Sequence, residues 1–483
     1  MQLSMVQRVL GVLLMIFSLS MLPPAAVSLY FDDGELLPFL QGFAWLFGLG
    51  ALIFWPVRGL ARELKLRDGF VVVVMFWTVL GVSGALPFYL SERPSMSLTD
   101  AVFEAISGLT TTGATVLTGI DELPHSIRFY RQELQWLGGM GIVVLAVAIL
   151  PLLGVGGMQL YRAEYPGPMK EAKLTARIAD TAKTLWYIYV GITATAALAY
   201  RIGGMSWFDA IGHSFSTVAI GGFSTHDAGF GYYDSPWLDG MATFFMLVAG
   251  ANFALHFIAW NRRTLTGYWH DSEFRFYVGV MLFMILLYSV MLWGNGMYDG
   301  FFTALRYASF NVVSYATTTG FATADITLWP AFLPVLIVLL AFMGGSTGST
   351  GGGMKVMRVM LLIKQGVREL KQLVHPQAEL PVKIGTQVVP DRVIQAVWGF
   401  FSAYIGIFIV LTLVMMGIGL DEVTAFGAVA ATLNNLGPGL GDVAGNFASV
   451  PDAAKWVGCV AMILGRLEVF TLLVLFTPVF WRR

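Results

Sequence analysis

The chain has 483 residues, 57% hydrophobic and 12% charged, with a mean hydropathy of +0.71, which excludes a soluble globular protein and sets the polytopic membrane class. A net charge of −1 points to no nucleic-acid or polyanion partner. The one cysteine, Cys459, excludes an intrachain disulfide, and the six histidines show no metal-ligand spacing.

Ten apolar runs are long enough to cross a bilayer, and they predict ten spans at about 9–27, 37–57, 69–90, 132–160, 184–203, 237–261, 276–297, 330–362, 392–419 and 454–481. The first follows Arg8 and is longer than the apolar region of a secretory signal, so it reads as a span. Lys and Arg orient the chain: 22 of the 29 basic residues fall on the side that carries both termini, including the loops at about 162–183 and 355–392. That side is cytoplasmic.

From about residue 69 one pattern recurs four times: a span, a short apolar segment, a polar strand ending in Gly, and a second span. The strands are Thr110-Thr111-Thr112-Gly113, Ala219-Ile220-Gly221-Gly222, Thr317-Thr318-Thr319-Gly320 and Asn434-Asn435-Leu436-Gly437. The charge count, made without reference to them, puts all four on the external side. The short segments are re-entrant helices of about a dozen residues, too short to span. Asp100 and Asp209, each thirteen positions before its Gly, suit their N-caps; Tyr307 and Thr424 stand at the matching places in the other two. Helix C-terminal ends aimed at the pore favour a cation, and backbone carbonyls can replace its hydration shell without binding too tightly. Gly at each strand end permits the φ values that turn carbonyls inward. Glu104, His213 and Asn311, nine residues before their glycines, read as polar fillers behind the strands. Trp136, Trp207, Trp237, Trp329 and Trp481 read as interfacial anchors.

These repeats, the glycine-interrupted helix described next and Arg466 resemble the Trk/Ktr/HKT superfamily of potassium transporters over the whole chain. The two leading spans and the length are similar to its bacterial TrkH branch. The resemblance implies an all-α membrane protein: two leading helices, then four helix–re-entrant pore loop–helix repeats around a central pore. The divisions are 1–68, 69–160, 161–262, 263–371 and 372–483. It implies a potassium filter built on Gly113, Gly222, Gly320 and Gly437. The carbonyls facing the ion would come from Thr111, Thr112, Ile220, Gly221, Thr318, Thr319, Asn435 and Leu436. It also implies a bacterial inner-membrane location, a homodimer, and a cytosolic TrkA-like nucleotide-binding regulatory protein. Potassium is the transported ion, no organic cofactor is implied, and the activity is not enzymatic. A symporter coupled to H⁺ or Na⁺ is the alternative, although the filter strands hold no titratable group.

The third repeat carries Gly344, Gly345, Ser346, Thr347, Gly348, Ser349, Thr350, Gly351, Gly352 and Gly353 in one run. Each Gly costs a helix roughly 1 kcal/mol against Ala, so this stretch cannot hold one straight. It reads as a mobile loop blocking the pore below the filter. A phosphate-binding loop fits poorly, because Met354 intervenes before Lys355. Arg466 is the one basic residue well inside the last span, where an unpartnered charge costs several kcal/mol. It reads as a cationic barrier at the inner mouth of the filter, touching the loop carbonyls. Glu468, two residues on, faces another way and is a weak partner for it.

Overall fold

A computed structural model describes residues 3–59, 66–144, 174–330 and 332–482. The inner part of the expected span 132–160 and most of the basic loop 162–183 lie outside the described residues. The fold is helical; among the described residues the only strands form the small antiparallel hairpin of Lys383–Ile384 and Gln387–Val388. Among the described residues, five apolar helices are long enough to span without a break: Leu3–Phe31, Leu36–Val57, Arg67–Leu90, Ser272–Gly294 and Asp391–Ile418. The first two cross at Gly11 and Gly50. A Cβ on either would come within 2.8 Å of the other's carbonyl oxygen, so the two backbones touch.

Four short helices fill the gaps between spans: Leu98–Leu109, Trp207–Ala219, Phe301–Ala316 and Glu422–Leu433. Their first turns differ from expectation. Ser97 and Ser206 are the N-caps, accepting from the backbone N–H of Asp100 at 3.1 Å and of Asp209 at 3.0 Å. The two aspartates sit at the third helical position, the other half of a capping box. Asp421 caps the fourth helix, and Gly300 begins the third without a side-chain cap.

The helices that follow the strands are broken in three repeats, where the sequence pointed to one. The run 237–261 splits into Pro236–Gly250 and Phe253–Arg262, bent by 93°. Asn252 restarts the chain there by capping Ala254 N–H. The run 330–362 stops at Met343 and resumes at Val356. The run 454–481 bends by 102° between Asp452–Arg466 and Phe470–Phe476, through Glu468 and Val469 with φ of 52° and 57°. Two of these breaks close on each other. Ser346 N–H donates to Gly250 O at 2.8 Å, and Phe253 N–H to Gly348 O at 3.2 Å. Polar backbone freed in one repeat is thus paired with that of the next, as a low-dielectric interior demands.

Of the expected tryptophan anchors, Trp329 is an interior residue and Trp136 is half-buried. Trp329 is buried against Tyr288, and Trp136 stacks on Phe215 while donating to Thr193 Oγ1 at 3.1 Å. Trp207, Trp237 and Trp481 are exposed on the helix ends.

The helix His125–Val144 runs against the ends of two short helices. A Cβ on Gly138 would overlap the Leu109 carbonyl oxygen, and one on Gly139 would lie 2.9 Å from Ala219 Cα. Gly138→Ala therefore forces backbone apart in a packed core. We expect a loss of about 1–3 kcal/mol, read as a lower melting temperature in detergent, whereas Gly191→Ala, at an open position inside a helix, should raise it slightly.

Candidate functional site

Each short helix ends in the same way. The N–H groups of Thr112, Gly221, Thr319 and Leu436 reach back five residues to the carbonyls of Ser107, Ser216, Ser314 and Ala431, at 2.8, 2.8, 2.7 and 2.8 Å. The residue before each is left-handed: Thr111 at φ 52°, Ile220 at 56°, Thr318 at 69° and Asn435 at 54°. These are Schellman closures with a non-glycine residue at the position that usually takes Gly, at a cost of roughly 1 kcal/mol each. Two residues on, the left-handed region returns at Gly113, Gly222, Gly320 and Gly437, with φ of 82°, 79°, 84° and 95°. Four strands of different sequence share one backbone path.

The glycines join the strands into a ring. A Cβ on Gly113 would overlap Gly221 O, one on Gly222 would overlap Thr319 O, and one on Gly320 would overlap Leu436 O. A Cβ on Gly437 would stand 2.8 Å from Thr112 O, which closes the circuit. The expected filter residues of all four repeats are therefore brought together. Their side chains are buried, yet the carbonyls of Thr111, Thr112, Ile220, Thr318, Thr319, Asn435 and Leu436 accept no hydrogen bond from the described residues. Buried carbonyls of native proteins are almost always paired, so this set is available to a ligand at the centre. The hydroxyls of Thr112 and Thr319 turn back onto those of Thr110 and Thr317, each at 2.8 Å, and so pack behind the strands.

Behind the ring the braces differ. Glu104 forms a buried ion pair with Arg131 at 2.7 Å and accepts from Val116 N–H at 3.0 Å. His213 Nε2 meets Ser224 Oγ at 2.9 Å, and Asn311 Nδ2 donates to Thr323 Oγ1 at 2.9 Å. All three hold the chain just after a filter glycine. A further brace lies on the helix His125–Val144. Arg128, Arg131, Gln132 and Gln135 donate in turn to the carbonyls of Thr225, Ser224, Phe223 and Gly221, at 3.4, 3.1, 3.3 and 2.6 Å. Sequence reading missed these residues, although their i, i+3, i+4, i+7 spacing marks one polar stripe on a helix.

Below the ring, the glycine-rich loop and Arg466 touch the base of every strand. Arg466 Nε donates to Thr110 O at 2.8 Å, and its Nη2 contacts Thr110 O and Thr111 Oγ1. Thr350 Oγ1 donates to Val218 O at 3.0 Å, Gly352 N–H to Thr318 Oγ1 at 2.7 Å, and Gly353 N–H to Asn434 O at 3.1 Å. Arg466 Nη1 also reaches Thr350 O at 3.2 Å and Gly351 O at 3.4 Å, so loop and guanidinium form one body. The first part of the loop is anchored away from the axis: Thr347 N–H donates to Glu273 Oε1 at 2.7 Å. Glu468 does face away from Arg466; it pairs with Arg358 instead.

A family model for TrkH, described as cation transport protein, matches residues 37–482. The chain belongs to the TrkH family of cation transport proteins. It is 56% identical over 477 residues to the Trk system potassium uptake protein TrkH of Salmonella typhimurium, covering 99% of each chain. It is 56% identical over 483 residues to the Halomonas elongata protein of that name, covering 100% of each. Its fold matches the crystal structure of the potassium transporter TrkH from Vibrio parahaemolyticus with a TM-score of 0.93, at 52% identity over 100% of both chains. As a TrkH-family member with several apolar helices, the chain is a multi-pass membrane transporter rather than an enzyme.

The outer rim of this TrkH-family ring carries pairs between repeats. Lys455 Nζ lies 2.7 Å from Asp100, and Arg306 lies 2.6 Å from Asp239. His226, in the loop after the second strand, contacts Asp121 from the first repeat and stacks on Tyr232. Burial pushes the His226 pKa down, but its bonds to Asp209 and Asp121 outweigh that and hold it above the usual 6.5. Burial pushes Asp121 up, but the bond from His226 outweighs it and holds Asp121 below the usual 3.8. The raised histidine stabilises the fold fully below its unfolded pKa and ceases to do so as pH rises through the raised value; the lowered Asp121 contributes above its unfolded pKa and is lost as pH falls through the lowered one. The melting-temperature gap between wild type and His226→Ala should thus be widest at about pH 5.5 and shrink toward about pH 9. A gap independent of pH would refute the pairing.

Proposed function

We propose that the chain conducts K⁺ across the bacterial inner membrane through the four-strand ring, closed from below by the loop 344–353 and Arg466. The ring carries this reading: four strands with one backbone path and seven buried carbonyls that no described residue engages. Neutral carbonyls replace the hydration of a monovalent cation without trapping it. K⁺ is held by the carbonyls of Thr111, Thr112, Ile220, Gly221, Thr318, Thr319, Asn435 and Leu436, on strands shaped by the four glycines. The names of the relatives, potassium uptake proteins, support the choice of ion.

Arg466 closes the pore by charge and the loop closes it by bulk. The guanidinium stands under Thr110 and Thr111, where a departing cation must pass. Opening requires the loop to release its bonds to Val218, Thr318 and Asn434, and glycines make that change of backbone inexpensive. A TrkA-like nucleotide-binding protein, docked on the cytoplasmic face with both termini, supplies the trigger. The helix Val356–Val374, which continues from the loop, exposes Ile363, Val367, Leu370 and Val374 at helical spacing; this stripe supports contact with a second copy in a homodimer.

Radioactive rubidium flux into proteoliposomes tests the reading. Uptake down a K⁺ gradient, with no pH or Na⁺ gradient, is expected; uptake that needs either gradient would move the assignment to a symporter, and no uptake in any condition would end it. Arg466→Ala should raise the flux about tenfold, the effect of removing about 1.4 kcal/mol from the barrier. An unchanged or lower flux would remove Arg466 from the gate.

A further inference from the structure

The second filter strand departs from the threonine pattern at one telling place. Thr112 and Thr319 are matched there by Gly221. The space a side chain would fill is occupied, since a Cβ on Gly221 would collide with the amide of Gln135. That amide is fully buried and grips the strand on both sides of Gly222. Its Nε2 donates to Gly221 O at 2.6 Å, and its Oε1 accepts from Phe223 N–H at 3.1 Å. Gly221 O belongs to one set of neighbouring carbonyls, with Thr112, Thr319 and Leu436, each lying against the next strand's glycine, and the other three accept nothing from the described residues.

We infer that Gln135 is a positioning residue that sets ion selectivity, by restraining the one ring carbonyl its amide holds. The inference rests on the conducting ring proposed above. Selectivity between cations of equal charge depends on cavity size or on the field strength of the coordinating carbonyls. Both accounts give Gln135 the same sign. The bond pins Gly221 O in place, so the ring cannot contract on a smaller ion. It also takes up part of that oxygen's lone-pair density, which weakens the field a small ion would need. Releasing the carbonyl therefore favours Na⁺ over K⁺ on either account. Gln132 makes the matched comparison: it sits one residue from Arg131 on the same stripe but donates to Phe223 O, beyond the filter glycine, at 3.3 Å.

The measurement is the ratio of K⁺ to Na⁺ in competition for radioactive rubidium flux, on the full chain in proteoliposomes. Gln135→Met keeps the volume and removes both hydrogen bonds. We expect the ratio to fall about fivefold, the effect of losing one hydrogen bond of ordinary net strength. Gln132→Met should leave the ratio at the wild-type value whatever it does to total flux. If Gln135→Met fails to insert, Gln135→Leu also removes both hydrogen bonds, with a smaller side chain, and it should lower the ratio as well. A wild-type ratio in the Gln135 variants, or an equal fall in the Gln132 variant, would overturn the assignment. A wild-type protein that carries rubidium with no preference for K⁺ would also overturn the assignment, whereas one that carries no rubidium in any condition would overturn the conducting reading on which it rests.

Discussion

The four filter strands approach one another backbone to backbone, and everything else in the molecule serves that contact. At Gly113, Gly222 and Gly320 a single methyl group would overlap the next strand's carbonyl oxygen. At these glycines no side chain can stand between the strands, so side chains of the strands themselves can do little to hold their spacing. The restraint has to come from outside the ring. That is why the flanks are dense with buried polar groups in a protein whose interior is otherwise apolar, and why those groups end on filter-strand backbone.

The restraints are not fourfold. Threonine hydroxyls knit two strands to their own helix ends; an arginine–glutamate pair bridges the chain after the first and second strands, and a polar stripe holds the second; an asparagine side chain ties the fourth to the first, where Asn435 Nδ2 donates to Thr112 Oγ1 at 2.9 Å. One chain encoding four strands can support each separately, which a ring of identical subunits cannot. The common backbone path and the unlike supports are compatible because the carbonyls, not the side chains, face the centre. Each support needs only to deliver the same φ pattern.

Asymmetry is stronger below the ring. The loop comes from the third repeat and the guanidinium from the fourth, yet together they touch all four strands. The reason is geometric: one body on the axis lies within reach of every strand end. The same body fills the break in the second repeat, where Gly250 and Phe253 would otherwise leave unpaired polar backbone in the membrane interior. A loop that completes the fold in this way is tied to the packing of its neighbours. Movement of the loop must therefore be matched by a new set of partners for those groups.

The four glycine-ended strands, the loop and Arg466 were legible because each is a local departure from hydropathy, and hydropathy is additive along a chain. The helix breaks at Asn252 and at Glu468–Val469 were not. No run of glycines announces them, and the bends exist because partners from other repeats receive the freed backbone. Trp329 read as an anchor and proved interior, because exposure is a property of neighbours. The stripe of Arg128, Arg131, Gln132 and Gln135 had a readable period but no readable target; its carbonyls lie about ninety residues away, at separations of 86 to 97. The sequence by itself determined where the four glycine-ended strands lie and that the chain is a multi-pass membrane protein, since both follow from composition and local backbone preference. Only the tertiary structure decided what holds each strand and what closes the ring, because those are contacts between repeats, and no local rule encodes which distant carbonyl a buried donor will meet.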